Sequence, residues 1–171
     1  MPTRSQLTLF VPDPAARAVE AVRARLDPVQ AGLIAAHVTL CREDELAGLD
    51  IDTLQERLRH FGAGALMLRF GPPQPFDGHG LLLPCTEGQP LFQALRCGVL
   101  GSTSARPHGA HLTLAHPRNP PRADPSARDA AAGLAGLTLT FSVISWIRQE
   151  GTAAWQRISD HPLPEVPPRP R

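Results

Sequence analysis

One tetrapeptide pattern occurs twice in this chain, 74 residues apart, as His37-Val38-Thr39-Leu40 and His111-Leu112-Thr113-Leu114. Each copy ends an apolar run that is typical of a β-strand. Because side chains at i and i+2 of a strand point to the same face, the His and Thr of each copy share one face, and their aliphatic neighbours lie on the other. Each copy therefore predicts a rigid strand that presents two polar groups and anchors its opposite face in a core.

The same spacing recurs outside the two copies. Residues 7–10 lie 74 positions before residues 81–84, and residues 64–68 precede residues 136–140 by 72. A random shuffle of this composition would give two His-x-Thr-Leu matches with a probability of about one in a thousand. The pattern predicts an internal duplication, in which each unit holds a strand, a helix, the His-x-Thr-Leu strand, a helix and a strand.

Length and apolar patterning predict the domain organisation. A chain of 171 residues fits one domain with a substantial core. We expect a single domain over residues 1–161, with pseudo-repeats at about 5–71 and 79–158, and a Pro-rich disordered tail over 162–171. No segment has the roughly 18 consecutive apolar residues of a membrane span, and the N-terminus lacks a signal-peptide core, so we expect a cytoplasmic protein without membrane association.

Periodicity places the elements along the chain. Strands are predicted at residues 7–11, 33–40, 65–70, 79–85, 137–147 and 153–158, the last two as a hairpin across residues 149–151. Helices are predicted between Asp13 and Asp27, from Asp52 or Thr53 to Gly62, from Pro90 to Val99, and from Asp124 to Gly133. Residues 71–75 are predicted to be a turn-rich connector between the halves.

Charge and cysteine content exclude several classes of protein. The formal net charge of +1 lacks the basic stripe of a protein that wraps long nucleic acid, so a small nucleotide or the end of an RNA strand is the better partner. The three cysteines, Cys41, Cys85 and Cys97, are odd in number and widely spaced. They fit neither a disulfide framework nor a zinc knuckle, and we expect reduced thiols.

The two tetrads and the order of elements around them resemble the 2H phosphoesterases, the two-histidine superfamily that includes bacterial 2′-5′ RNA ligases and RNA 2′,3′-cyclic phosphodiesterases. The resemblance covers roughly residues 7–158. It implies a bilobal α+β fold with two antiparallel sheets facing a central cleft, helices on the outside, and one His-x-Thr motif from each lobe. It also implies opening of 2′,3′-cyclic phosphates to 2′-phosphomonoesters, with 2′-5′ ligation as the reverse reaction.

Phosphoryl chemistry gives the two motifs a consistent role. Attacking and leaving oxygens lie roughly in line at phosphorus, so a base and an acid must lie on opposite sides of it. His37 and His111 are the predicted pair, because an imidazole with a pKa of about 6.5 can act as the acid or as the base near neutral pH. Thr39 and Thr113 are predicted to donate to the non-bridging phosphate oxygens. Which histidine is the acid stays open.

This interpretation predicts a monomeric cyclic phosphodiesterase that needs no metal or cofactor and acts on a nucleotide or an RNA terminus. One alternative is a module that binds such a ligand in the same groove without turning it over. Another is a metal site built from His108, His111, His116 and Cys41, although their spacing matches no established zinc pattern.

Three arginines near the motifs, Arg42, Arg106 and Arg118, are candidates to bind phosphate or stack on a base, and each could equally be a surface side chain. Arg118 is notable because many relatives continue the second tetrad with Ala-Arg, whereas this chain has residues Ala-His-Pro-Arg at 115–118. If the family arginine binds phosphate, Arg118 must reach the site from a displaced position.

The remaining aromatic and histidine residues receive no predicted role in the chemistry. Phe10, Trp146 and Trp155 could stack on a base or belong to the core. Of the histidines outside the tetrads, His60 is expected near a helix C-terminus and His161 in the tail. Loop or strand-surface positions are expected for His79, His108 and His116.

Overall fold

The computed structural model describes residues 1–120 and 122–165. These ranges contain nine strands, and they are β1 (Thr3–Phe10), β2 (His37–Cys41), β3 (Leu66–Phe70), β4 (Gln74–Phe76), β5 (Gly80–Glu87), β6 (His111–Ala115), β7 (Thr138–Phe141), β8 (Val143–Glu150) and β9 (Gln156–Pro162). They also contain five α-helices, and these are α1 (Ala15–Leu26), α2 (Pro28–Leu33), α3 (Ile51–Arg59), α4 (Gln89–Leu100) and α5 (Pro125–Ala132). A short 3-10 helix covers Glu43–Glu45.

The strands form two antiparallel sheets. The first has the order β2-β1-β8-β9. The second sheet is built around the long strand β5. On one side β5 pairs with β6, and on the other side it pairs with β4 and then with β3. β7 completes this sheet by pairing with β3. The predicted α+β class with two antiparallel sheets is therefore confirmed.

The duplicated segments pair in the same register in both sheets. Phe10 lies opposite His37 in the β1–β2 pair, and Pro84, 74 positions later, lies opposite His111 in the β5–β6 pair. Each pair also has one register shift, and the two shifts are again 74 positions apart, between residues 7 and 8 in β1 and between residues 81 and 82 in β5. Helices α1 and α4 are also offset by 74 at both ends. The strand–helix–strand frame around each motif is thus the same.

The strand that follows the first motif departs from the sequence repeat. β3, which follows the first motif, joins the second sheet, while β8 and β9 complete the first. Residues 137–147 were predicted to form one strand, and this prediction is wrong. The segment divides at Ser142 into β7 and β8, which lie in different sheets. The alternation of buried residues changes phase there, since Leu139 and Phe141 are followed by Ile144.

Other boundaries also differ from the prediction. Pro28, predicted to end the first helix, is also the first residue of a second helix, α2. Because α2 extends to Leu33, β2 begins at His37 rather than near residue 33. Helix α3 is capped by Asp50, whose carboxylate accepts from the Thr53 N–H at 2.8 Å, and not by Asp52 or Thr53 itself. Residues 74 and 75 of the expected connector, together with Phe76, form β4 against β5.

The ordered chain extends beyond residue 161, where the prediction placed its end. His161, expected in the tail, is buried in β9, and Leu163 is buried with its N–H donating to the Ser142 carbonyl at 2.8 Å. These contacts extend the edge of the first sheet. Residues 166–171 of the predicted tail lie outside the described residues.

Each helix that follows the first strand of a half packs against the other half. α1 contacts β6, and α4 contacts β2. Their buried side chains include Val19 and Val22 on α1, and Phe92 and Leu95 on α4. Each motif strand therefore depends on a helix from the opposite half for its support. In the described ranges, no helix is long and apolar enough to cross a membrane.

Candidate active site

The two motif strands lie at the edges of the two sheets and contact each other. Their burial patterns are identical, with each His and Thr partly exposed between fully buried aliphatic residues. His37, Thr39, His111 and Thr113 all line one cavity of about 410 Å³ between the sheets. The structure thus brings together the four predicted site residues at a central cleft.

Both imidazole rings are fixed in the same way. Nδ1 of His37 lies 2.8 Å from the carbonyl oxygen of Ala35, and Nδ1 of His111 lies 2.8 Å from that of Gly109. A carbonyl can only accept, so Nδ1 carries the proton in each ring and donates it. In the neutral rings Nε2 is then an acceptor, and within residues 1–120 and 122–165 it has no protein partner.

The surroundings lower the proton affinity of both rings. Desolvation lowers the pKa of His37 from 6.5 to about 4; the hydrogen bond to Ala35 opposes this, while Arg23 and His111 add to it. The pKa of His111 is also lowered, first by desolvation and then by the charge of Arg42. Both rings are therefore neutral near pH 7 in the free protein. An anion between them would favour the charged form.

The two threonines differ in their local partners. Gln6 donates through Nε2 to Oγ1 of Thr39 at 3.1 Å and to Oγ1 of Thr8 at 2.9 Å. Because Thr39 accepts this bond, its own hydroxyl proton stays available for a ligand. Thr113 has no side-chain hydrogen bond in the part of the chain that the structure describes, and position 80, which corresponds to Gln6, is glycine.

The cavity favours anions. Arg4, Arg23, Arg118 and His116 line it together with the two motif histidines, and the described lining contains no Asp or Glu. Arg23 is itself paired with Glu20 at 2.7 Å. Arg4 and Arg118 have no carboxylate within salt-bridge distance in the described ranges, so their charges are available to a bound ligand.

The predicted arginines occupy three different places. Arg118 lines the cavity, so it reaches the site from its displaced position. Arg42 lines an adjoining cavity. Arg106 instead pairs with Asp44 at 3.1 Å and lies 3.8 Å from Glu45.

His116 lies in a loop, as expected, but this loop reaches the site. His116 lines the cavity, its backbone N–H donates to Oδ2 of Asp27 at 2.8 Å, and its Nδ1 accepts from the Arg118 N–H at 3.2 Å. Asn119 also donates to Asp27, at 2.8 Å and 2.9 Å to the two carboxylate oxygens. Asp27 therefore holds the loop that carries His116 and Arg118 against the cleft.

Among the aromatic candidates, Trp155 lines the cavity, whereas Phe10 and Trp146 are not among its lining residues. The guanidinium of Arg157 lies 4.4 Å from the Phe10 ring, and Trp146 packs against the hydrophobic core. His60 and His79 are exposed, as expected.

The metal hypothesis requires four side chains that the structure does not bring together. Cys41 is buried in the core, and burial raises the pKa of its thiol to about 12. His108 packs beside the rings of Phe92 and His111, with centroid separations of 6.2 Å and 5.6 Å. No group of three or more metal-ligating side chains occurs within the described residues.

Sequence analysis missed several lining residues. Arg4 and Gln6 share a strand face, with Leu7 buried on the other, and this alternation was a usable signal. Gln149 can be identified as a lining residue only from the pairing of β1 with β8. In that pairing it lies opposite Arg4 and accepts a hydrogen bond from the Arg4 guanidinium. Phe76, whose ring centroid is 5.2 Å from that of His111, lies on the unpredicted strand β4.

The arrangement of two antiparallel sheets with helices is also found in solved structures. E. coli LigT complexed with phosphate matches over 96% of this chain and 99% of its own, with a TM-score of 0.59 and 14% identity. E. coli LigT complexed with NADP+ gives 95% and 99% coverage, a TM-score of 0.58 and 14% identity. TT0787 of Thermus thermophilus gives 94% and 97% coverage, a TM-score of 0.52 and 17% identity.

No family model matches the sequence, and the curated proteins include no match to it. The chain nevertheless has the LigT fold over nearly its whole length. The fold expected from the resemblance to the 2H phosphoesterases is therefore confirmed.

Proposed function

We propose that this chain is a 2H phosphoesterase that opens 2′,3′-cyclic phosphates of RNA ends or nucleotides to 2′-phosphates. The observation that carries the proposal is the convergence of His37 and His111, from two different sheets, on one cavity, with Nδ1 of each ring bonded to a backbone carbonyl. Two imidazoles held in this way can act on opposite sides of a phosphate. Cytoplasmic location and a monomeric state remain predictions from sequence.

The reaction follows from the two rings. One neutral imidazole accepts a proton at Nε2 from a water molecule, and the water oxygen bonds to phosphorus. The bond from phosphorus to the 3′ oxygen breaks, and the other imidazole, protonated, donates its Nε2 proton to that oxygen. The product is a 2′-phosphomonoester with a free 3′ hydroxyl. If a 5′ hydroxyl takes the place of water, the rings keep these roles and the product has a 2′-5′ bond. The rings exchange roles when the 3′ hydroxyl attacks phosphorus, the 5′ oxygen leaves with a proton, and the cyclic phosphate forms again.

The protonated ring needs the substrate. Both pKa values are low in the free protein. An anionic phosphate between the rings stabilises an imidazolium and raises these pKa values toward neutrality. We propose that the hydroxyls of Thr39 and Thr113, which line the same cavity, donate to the non-bridging oxygens, where charge changes during the displacement.

Solved complexes of proteins with this fold support a nucleotide ligand. Structures of E. coli LigT are described as complexed with 3′-AMP, with NADP+ and with ATP. These ligands all carry phosphate on a nucleoside, and the cationic lining of the cavity here suits the same chemistry. We therefore propose nucleotides or RNA termini as ligands of this chain.

The proposal is tested by hydrolysis of 2′,3′-cyclic nucleotides and of RNA ending in a cyclic phosphate. We expect His37→Ala and His111→Ala each to lower the rate by about 10²- to 10⁴-fold, as loss of a general acid or base does. The exposed His60 gives a matched control, and His60→Ala should retain the wild-type rate. Phosphorus NMR of the product should show a 2′-phosphate.

If the wild type is active but both motif variants keep more than about a tenth of its rate, the assignment is wrong. A protein that binds these ligands through the same cavity but hydrolyses none of a panel of cyclic phosphates would instead be the non-catalytic module.

A further inference from the structure

A second cavity adjoins the catalytic one. It has a volume of about 340 Å³ and shares Arg4, Gln6 and Trp155 with its neighbour. Its other side is formed by Arg42 and the start of the 3-10 helix, Glu43 and Asp44. Both volumes lie within the range of about 300–1,000 Å³ typical of ligand sites. The shared residues make a wall along which a bound chain can continue from one cavity into the other.

We propose that this adjoining cavity, which we call the second subsite, binds the nucleotide that precedes the terminal one, so that the protein prefers the cyclic-phosphate ends of oligonucleotides to free cyclic nucleotides. The inference rests on the proposed function, because the terminal phosphate must lie between His37 and His111. The rest of an RNA strand then has to leave the catalytic cavity, and the second subsite lies beside it.

The shared wall is preorganised for a nucleobase. The Arg4 guanidinium lies 5.5 Å from the centroid of the Trp155 ring and donates to Gln149. The Trp155 backbone N–H donates to the Leu33 carbonyl at 2.8 Å, which fixes the base of the side chain. A guanidinium and an indole held in this way offer flat surfaces on which any base can stack, without sequence readout.

The charge of the second subsite matches a single phosphodiester. Arg4 and Arg42 carry two positive charges and have no salt-bridge partner in the residues described here. Asp44 is paired with Arg106 at 3.1 Å, so within the described ranges Glu43 is the one acidic lining residue without a salt bridge. The balance is about one positive charge, which attracts one linking phosphate, while Glu43 disfavours a polyphosphate.

Binding measurements test the proposal without depending on turnover. The probes are RNA mono-, di- and trinucleotides ending in a 3′-phosphate, titrated calorimetrically. We expect the dinucleotide to bind about 5- to 150-fold more tightly than the mononucleotide, the range that base–aromatic stacking provides. Trp155→Ala should remove most of that difference.

Arg42 separates the two cavities, because it lines only the second. Arg42→Gln should weaken the dinucleotide about tenfold and the mononucleotide by a smaller factor, because the Arg42 charge also acts on His111. The dinucleotide affinity of this variant should also depend less on salt. Exposed Arg17 lines neither cavity, so Arg17→Gln is the matched control.

Equal affinity of the wild type for mono- and dinucleotides, or an Arg42→Gln variant that weakens both alike, would overturn the second subsite. Its failure is distinguishable from failure of the proposed function. If hydrolysis of every cyclic phosphate is absent while the dinucleotide preference and its Arg42 dependence persist, the phosphodiesterase is wrong and the second subsite stands.

Discussion

The buried ion pair between Arg96 and Glu45 should be a main support of the site, and its loss should destabilise the protein strongly. Arg96 lies on α4 and is fully buried. Its guanidinium donates to the Leu40 carbonyl at the end of β2, to both carboxylate oxygens of Glu45 at 2.5 Å and 3.2 Å, and to the Arg106 carbonyl at 2.9 Å. One side chain thus links the first motif strand to the segment that leads to His111.

The structure indicates the size of the effect. Arg96→Leu leaves Glu45, whose side chain is 10% exposed, without its main partner, and leaves two carbonyls without this donor. Removing one partner of a buried pair costs about 3–5 kcal/mol. Arg106, which lies 3.8 Å from Glu45 and is 56% exposed, compensates in part for the lost charge. We therefore expect Arg96→Leu to lower the free energy of unfolding by about 3 kcal/mol.

The loss should also depend on pH. Burial is the largest single effect on Glu45 and would raise its pKa. The hydrogen bonds from Arg96 and from the Arg42 N–H, together with the charges of Arg96 and Arg106, outweigh burial and hold the pKa below its usual 4.5. Without Arg96, burial dominates and the pKa of the folded state rises above that of the unfolded state. The charged form is then disfavoured in the folded protein, so the destabilisation is full at neutral pH and shrinks as acid protonates Glu45.

Urea denaturation of Arg96→Leu, Glu45→Gln and the double variant measures the coupling. The double variant should lose less than the sum of the single losses. Arg23 is the matched comparison, because it is a buried arginine on the equivalent helix, but its partner Glu20 is 34% exposed. If Arg96→Leu costs no more than Arg23→Leu, or if the coupling is zero, the ion pair is not the support inferred here.

Three further predictions concern protons and metals. Because the pKa values of His37 and His111 are lowered in the free protein, kcat/KM should be maximal below about pH 6.5. The maximum of kcat should lie at a higher pH, because bound phosphate raises these pKa values. A kcat/KM maximum above about pH 7.5 would contradict this prediction. Desolvation lowers the pKa of His108 to about 4, so the folded state resists a proton that the unfolded state accepts near 6.5. Stability should fall as pH decreases through that range, and less steeply in His108→Gln; equal slopes in urea titrations refute this. Activity should survive dialysis against a chelator, and a loss that added metal restores would refute the metal-independent scheme.

The residues at the centre of the site could be predicted because a strand fixes its own side-chain directions. Once His37 and Thr39 are assigned to a strand with Val38 between them, their shared face needs no knowledge of the rest of the fold. The duplication added the expectation that His111 and Thr113 have an equivalent setting. The matched register of both strand pairs shows why the sequence offset was informative.

The outer part of the site depends on pairings between distant residues, which local patterns do not encode. Arg4 and Gln149 meet only because β1 pairs with β8. Phe76 reaches His111 because it forms a strand against β5 with the last two residues of the expected connector. His116 faces the cleft because Asp27, at the end of α1, binds its backbone. In each case a contact between separate elements decided the position.

The duplicated frame gives the two rings equivalent settings, whereas acid/base catalysis needs one ring to be neutral while the other is charged. Both Nδ1 atoms bond to a carbonyl two residues earlier at the same distance. An aromatic ring lies beside each histidine, Phe10 at 6.2 Å from His37 and Phe76 at 5.2 Å from His111, as measured between ring centroids. The rings also act on each other, because the charge of His111 lowers the pKa of His37. Two rings coupled in this way take up their protons in two steps, so one can be neutral while the other is charged on the same phosphate even in equivalent settings.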